Sequence, residues 1–317
     1  MQDRALGNTG MTIKPLVFGG NVLGWTMDEA KSFRVLDAFV DHGFDAIDTA
    51  DSYSRWAPGH KGGESESLLG RWFAARPGMR NRIRLFTKVG SDMGGPGEKG
   101  LSAGWILREA EASLKRLGTD RIDVYFSHWP DPAVRHEETL GAYDQLLKAG
   151  KLRAIGASNY DAALLGEALK VADDSGLPAY QVLQPGYNLH DRAAFEGTLR
   201  DLCRARGIGV VPYYGLAAGF LTGKYRSEAD TEGRARGGSV KKYLTPRGLR
   251  ILDALDAVAE ARGAAPGEVA LAWLMAREGV TAPIASATST DQVASFARAA
   301  ALRLGADDMA RLTAAGD

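Results

Sequence analysis

The sequence has a single cysteine, Cys203, so no internal disulfide can form and no cysteine-built metal site is available. It has no excess of either charge: 39 Lys and Arg stand against 39 Asp and Glu. A surface that holds a polyanion needs a basic excess, so nucleic acid is not an expected partner. No run of 18 apolar residues occurs, so no membrane-spanning helix is expected. The opening residues, MQDRALGNTG, carry no apolar stretch of the kind a secretory leader uses, and the expected location is the cytoplasm. Low-complexity tracts and linkers are absent too. What is present is ordinary globular usage: 317 residues, 45% hydrophobic and 25% charged, enough for a large core.

Short β-type runs alternate with longer helical patterns. Candidate strands lie at 15–18, 44–48, 83–88, 122–128, 153–157, 180–184, 208–213 and 281–284, all rich in Val, Ile, Phe or Tyr. Helical stretches stand between them with start and stop signals. Asp28 opens one, with Phe33, Leu36 and Phe39 on one face. Ser102 opens another, which Gly118 closes, and Thr245-Pro246 reads as a cap followed by a first-turn proline. Strand–helix alternation gives a parallel sheet covered by helices. Eight such units over residues 1–317 fit one closed (β/α)8 barrel domain. Residues 1–14 read as a β-hairpin around Asn8-Thr9-Gly10, placed to plug the barrel bottom. Residues 226–248 form a long polar loop, a usual place for function. An open dinucleotide-binding sheet is the rival, but Gly19-Gly20-Asn21-Val22-Leu23-Gly24 does not give its glycine fingerprint.

Barrel chemistry sits at the C-terminal ends of strands. The second, third and fourth candidate strands end in Asp48, Lys88 and His128, evenly spaced by one βα unit. These three should converge on one mouth, with Tyr53 leaning over it. A carboxylate beside a lysine is an ion pair, and a lysine beside a tyrosine is expected to push the phenol pKa below about 10. That makes Tyr53 a candidate general acid for a carbonyl oxygen. The set contains neither a nucleophile–base pair nor three metal ligands, so no metal site is expected. It donates a proton and steadies negative charge, and needs a cofactor for the harder step.

The blocks IDTADSY (47–53), FTK (86–88), YFSHWP (125–130), GASNY (156–160), QPGYNL (184–189), GFLTGKY (219–225) and PIASATSTDQ (283–292) together resemble the aldo-keto reductase family nearly end to end. The likeness is to the branch that includes potassium-channel β subunits and many bacterial and plant reductases. It implies a (β/α)8 barrel that uses NADP(H) to interconvert a carbonyl compound and an alcohol. By residue matching, it implies Tyr53 as proton donor, Lys88 and Asp48 as the pair that tunes it, and His128 as the group that orients the carbonyl. It further implies a cofactor site. Gly19, Gly20, Asn21 and Asp48 line the cleft, and Ser158, Asn159 and Gln184 hold the carboxamide. Tyr213 stacks on the ring, with Tyr214 beside it. Leu216, Ala217, Ala218, Leu221, Gly223 and Lys224 form the pyrophosphate loop. At the adenine end stand Arg234, for which Arg236 competes, with Ala287, Thr288 and Gln292.

The family's Glu-Asn pair near the adenine is missing, since Ser295 and Phe296 stand in that stretch, so NAD(H) is not excluded. Trp25, Trp56, Trp129 and Tyr187 are expected at the rim as substrate contacts, suiting an apolar or aromatic carbonyl compound or a sugar face. Two other readings stay open: a cofactor-binding regulatory module of channel-subunit type with slow turnover, and a lyase or epimerase using Lys88 as a Schiff base.

Overall fold

The computed structural model describes residues 1–233 and 237–317. Two short strands, β1 (Arg4–Ala5) and β2 (Thr12–Ile13), pair antiparallel as the expected hairpin. Eight parallel strands follow: β3 (Val17–Gly19), β4 (Ala46–Asp48), β5 (Arg84–Val89), β6 (Ile122–Ser127), β7 (Leu152–Ser158), β8 (Val182–Gln184), β9 (Gly209–Val210) and β10 (Ile284–Ala285). Their order is β10-β3-β4-β5-β6-β7-β8-β9, each beside its neighbour in sequence except where the last meets the first. The seam is completed next to β9 and β10, where Thr281 N donates to Val210 O and Ile284 N to Pro212 O, both at 2.8 Å. The architecture is the (β/α)8 barrel that the alternation predicts.

Several strands are shorter than the apolar runs suggest. The run 208–213 pairs regularly only at Gly209 and Val210, and 281–284 yields strand only from Ile284. Pro212 and Pro283 have no amide hydrogen to give to a ladder, which cuts both runs. In the run 180–184, strand begins only at Val182.

Strand residues divide between two cores because successive side chains point to opposite faces. Val17, Ala46, Phe86, Val124, Phe126, Ala154, Val182 and Val211 fill the barrel interior, and Leu6 and Ile13 of the hairpin close it from below. The interior is tight enough to dictate one glycine. A Cβ on Gly156 would stand 2.4 Å from Phe126 Cε1, so β7 gives up a side chain there to admit the ring. The second core lies between strands and helices. Its helices start where capping chemistry says they should: Asp28 Oδ1 accepts from Lys31 N at 2.7 Å, and Thr245 Oγ1 accepts from Gly248 N at 3.1 Å. Gly118, in the left-handed conformation, ends the helix Ala103–Leu117 as expected.

The long segment 226–248 is less loop-like than its composition implies. Its described part carries short helical turns at Ala229–Thr231, Gly237–Val240 and Lys241–Tyr243, and Tyr243 is buried. Arg234 and Arg236 lie outside the described residues. Among the described residues no helix is long and apolar enough to cross a membrane, and no group of three or more metal-ligating side chains occurs.

Candidate active site

Strand register brings the polar strand ends together. Asp48 closes β4 opposite Phe86, and Lys88 stands near the end of β5, opposite Phe126. His128 follows β6 directly, its backbone N donating to Val89 O at 2.8 Å. Lys88 is fully buried, and its Nζ donates to Asp48 Oδ2 at 2.7 Å, Thr49 O at 2.8 Å and Tyr53 Oη at 3.1 Å. All three ammonium hydrogens therefore have acceptors. Gln184 Nε2 donates to the other Asp48 oxygen at 2.8 Å. The His128 ring lies 6.0 Å from the Tyr53 ring, and its Nδ1 sits 2.9 Å from Ser91 Oγ. The three strand-end residues and Tyr53 do meet at one mouth.

Their electrostatics differ in part from expectation. Burial alone would lower the Lys88 pKa, but Asp48 and Tyr53 outweigh it and the net direction is up. Burial pushes the Asp48 carboxyl up, against Lys88 and Gln184. The proton of this pair rests on Lys88, which remains an ammonium ion. The Tyr53 phenol is raised rather than lowered: burial outweighs the pull of Lys88, and Asp48 adds to the rise. This corrects the expectation of a depressed phenol, because a phenolate pays its desolvation before Lys88 can reward it. His128 is held well below the usual imidazole range by burial and then by Lys88, so its ring is neutral.

Aromatic rings surround the mouth. Trp25 meets Trp56 edge-on at 6.1 Å, Trp56 meets Tyr53 at 5.4 Å, and Trp129 stacks on His128 at 5.7 Å. Trp56, Trp129 and Tyr214 each expose about half their surface. Tyr187 does not belong to this rim. It is 1% exposed, its hydroxyl bonds Glu196 at 2.6 Å and Arg277 at 3.0 Å, and its ring packs on Phe195 and Trp273. An apolar ring whose hydroxyl already has two partners is better placed inside, so the substrate-contact expectation for Tyr187 is withdrawn.

Beside the mouth, Ser158 Oγ donates to Gln184 O at 2.9 Å, and Tyr213 Oη donates to Asn159 Oδ1 at 2.7 Å. Asn159 Nδ2 in turn donates to His128 O at 2.8 Å. Ser158, Asn159, Gln184 and Tyr213 thus form one connected group that touches Asp48 and His128. Gly186 leaves the Tyr213 ring uncovered, since a Cβ there would lie 3.2 Å from it. Across the barrel, Gly19 and Gly20 keep the first loop close: added Cβ atoms would meet Ser286 Oγ at 2.5 Å and Asp48 O at 2.7 Å. Asn21 Oδ1 accepts from Ser286 Oγ at 2.6 Å.

The loop after β9 is strained. Tyr214, Ala217 and Ala218 have φ of 59°, 48° and 57°, unusual for residues with a Cβ, and Gly219 and Gly223 follow at 96° and 80°. Such strain costs about 1–3 kcal/mol per residue and collects at ligand clamps. Leu216, Ala217 and Leu221 anchor it: Ala217 N donates to Tyr214 O at 2.7 Å, and Leu221 N to Leu216 O at 3.2 Å. Lys224 is exposed at its end. Ala287 is buried, while Thr288 N donates to Gln292 Oε1 at 2.7 Å at the start of the helix Thr290–Ala301. A flat, amide-bearing ring suits the polar group around Tyr213, and an anionic tail suits the strained loop and Lys224. The residues present therefore fit a nicotinamide dinucleotide.

Sequence reasoning missed a second polar cluster, behind the strands. Glu66 accepts from Thr87 Oγ1 and from Arg116 Nε, each at 2.6 Å, and Arg116 also pairs with Glu109. Asp51, two residues before Tyr53, is buried beside them; Ser52 N bonds one carboxyl oxygen, and the other has no partner among the described residues. Burial, then Glu66 and Glu109, push its carboxyl well above the usual range. Arg116 is the cation that this acidic group closes around. Arg116→Ala should cost about 3–5 kcal/mol of stability, because it leaves carboxylates buried without a counter-ion. Urea unfolding measures this directly, and a loss under about 1 kcal/mol would show that the cluster neutralises itself by taking up protons.

A family model described as the aldo/keto reductase family matches residues 15–317. The chain is 32% identical to the oxidoreductase YrpG of Bacillus subtilis, over 96% of this chain and 92% of the other. It is 31% identical to a probable voltage-gated potassium channel subunit beta of Arabidopsis thaliana, over 92% and 89%. It is 30% identical to an L-glyceraldehyde 3-phosphate reductase of Escherichia coli O157:H7, over 92% and 86%.

Proposed function

The chain belongs to the aldo/keto reductase family, and from that premise we propose that it reversibly reduces an aldehyde or ketone to an alcohol with NADP(H), Tyr53 giving the proton. One observation carries this reading: a buried lysine donates at once to a carboxylate and to a tyrosine hydroxyl, at the floor of an aromatic mouth. When bound, the dinucleotide supplies the hydride.

The chain's own residues do the rest. Tyr53 Oη hands its proton to the carbonyl oxygen as negative charge gathers there. The Lys88 ammonium at 3.1 Å steadies the phenolate that forms, and the Asp48 carboxylate holds Lys88 in place. Neutral His128 orients the oxygen. Ser158, Asn159, Gln184 and Tyr213 would hold the carboxamide end of the cofactor. The loop from Leu216 to Lys224 would hold its phosphates, with Gly19, Gly20 and Asn21 on the opposite wall. Ala287, Thr288 and Gln292 would face the adenine end, and Arg234 would add the charge that favours NADPH over NADH. Trp25, Trp56 and Trp129 would bind a flat or apolar carbonyl compound. The proton resting on Lys88 disfavours a Schiff base, since an ammonium has no lone pair to attack with.

The test is a panel of aldehydes, ketones and alcohols with NADPH and with NADH, followed at the nicotinamide absorbance. Turnover of aromatic aldehydes with NADPH preferred is the expected result. Tight cofactor binding with no turnover across the panel would instead support the alternative reading, a cofactor-binding regulatory module of channel-subunit type.

A further inference from the structure

His128 is neutral, so its ring carries one proton on one of two nitrogens, and that choice decides whether it donates or accepts at the mouth. Nδ1 lies 2.9 Å from Ser91 Oγ, and Nε2 bonds none of the described residues. Only Nε2 is left for a ligand.

The Ser91–His128 contact is a built one. Gly90 has φ of 116°, which turns the chain just after β5, and a Cβ on it would press to 3.0 Å from Leu101. Gly100 N donates to Gly90 O at 3.1 Å and closes the loop at its base. Leu101 N donates to Asp131 Oδ2 at 2.9 Å, which ties that loop to the segment after His128. His128 N donates to Val89 O, two residues before Ser91. The serine and the ring are therefore fixed to one another from both sides.

A serine hydroxyl can donate or accept, so the bond is readable in two ways. If Ser91 accepts, Nε2 turns a lone pair toward a substrate oxygen that is gaining negative charge, and repels it. If Ser91 donates, Nε2 carries the proton and joins the Tyr53 hydroxyl as a second donor to one oxygen, preorganised before charge develops. We propose that Ser91 is a positioning residue: its hydroxyl donates to His128 Nδ1 and thereby keeps the ring proton on Nε2, facing the substrate oxygen. This rests on the carbonyl-reduction reading for the oxygen, but not for the state of the ring.

The experiment has two arms on the full chain. In the first, long-range 1H–15N spectra of 15N-histidine protein at neutral pH report the tautomer without any turnover. The wild type should show Nε2–H, with the Nδ1 resonance shifted by an accepted hydrogen bond. Ser91→Ala should lose that shift, and Ser91→Thr, which keeps a hydroxyl, should retain it. In the second arm, NADPH and 4-nitrobenzaldehyde serve as probes. Ser91→Ala should lower kcat/KM about tenfold, mostly through kcat, with NADPH affinity unchanged and Ser91→Thr within about twofold of wild type. A proton found on Nδ1, a spectrum unmoved in Ser91→Ala, or full kcat in Ser91→Ala while His128→Ala is impaired would each overturn the proposal. A fully active His128→Ala enzyme would sink the reading of the site itself, and with it the role of Ser91, whatever the spectra show.

Discussion

Tyr53→Phe should lower turnover of any carbonyl substrate by at least about a hundredfold, the usual scale of a lost general acid, with cofactor affinity little changed. The change removes one oxygen and keeps the ring that meets Trp56 and His128, so the mouth should keep its shape. It also removes one acceptor of Lys88, whose Asp48 and Thr49 bonds remain. Structural damage is thus small and the chemical loss large, which separates a proton donor from a packing residue. The pH dependence carries the same information. Burial raises the phenol pKa before Lys88 lowers it, so the donor form persists through neutral pH and is lost only on the alkaline side. Reduction rates in the wild type should therefore fall in an alkaline limb that the Phe variant lacks. Equal turnover in the two proteins would remove Tyr53 from the mechanism.

The ends of the apolar runs pointed to this site because a barrel delivers strand ends to one face. Asp48, Lys88 and His128 could be found by counting one βα unit at a time, and the seven family-like blocks added the cofactor side. What could not be read was whatever depends on burial or on the opposite strand face. Thr87 neighbours Lys88 in sequence but points the other way, into the cluster of Glu66, Glu109 and Arg116, whose members come from two separate helices, Glu64–Ala75 and Ala103–Leu117. The rise of the Tyr53 pKa was hidden because desolvation has no sequence signal. Tyr187 reads as a rim aromatic, yet Glu196, nine residues on, and Arg277, 90 residues on, hold its hydroxyl and draw it inside. The left-handed Tyr214, Ala217 and Ala218 were equally silent, since only glycine announces such a conformation. Ser91 left one faint trace, the glycine before it.

Asp48 and Lys88 should prove strongly coupled in stability as well as indispensable in activity. Asp48→Ala strands a fully buried ammonium with Thr49 O and Tyr53 Oη as its remaining acceptors, and should cost about 3–5 kcal/mol. Lys88→Met strands the carboxylate instead, but Asp48 can take up a proton and keep company with Gln184. Its cost should therefore be smaller and should depend on pH. Burial already raises Asp48 against Lys88, and without Lys88 the rise is larger. A folded pKa above the unfolded value gives stability that is complete below the unfolded pKa and is lost as pH rises through the folded one. The Lys88→Met protein should thus recover toward wild type as the solution is acidified, the reverse of ordinary acid denaturation. The double variant Asp48→Ala with Lys88→Met removes both charges and should lose less stability than the two single losses added together, while remaining inactive. Urea denaturation of the four proteins measures the coupling, expected above about 2 kcal/mol. Strict additivity would mean that the two groups hold each other only weakly, and the ammonium would then need another explanation for staying charged beneath the tyrosine.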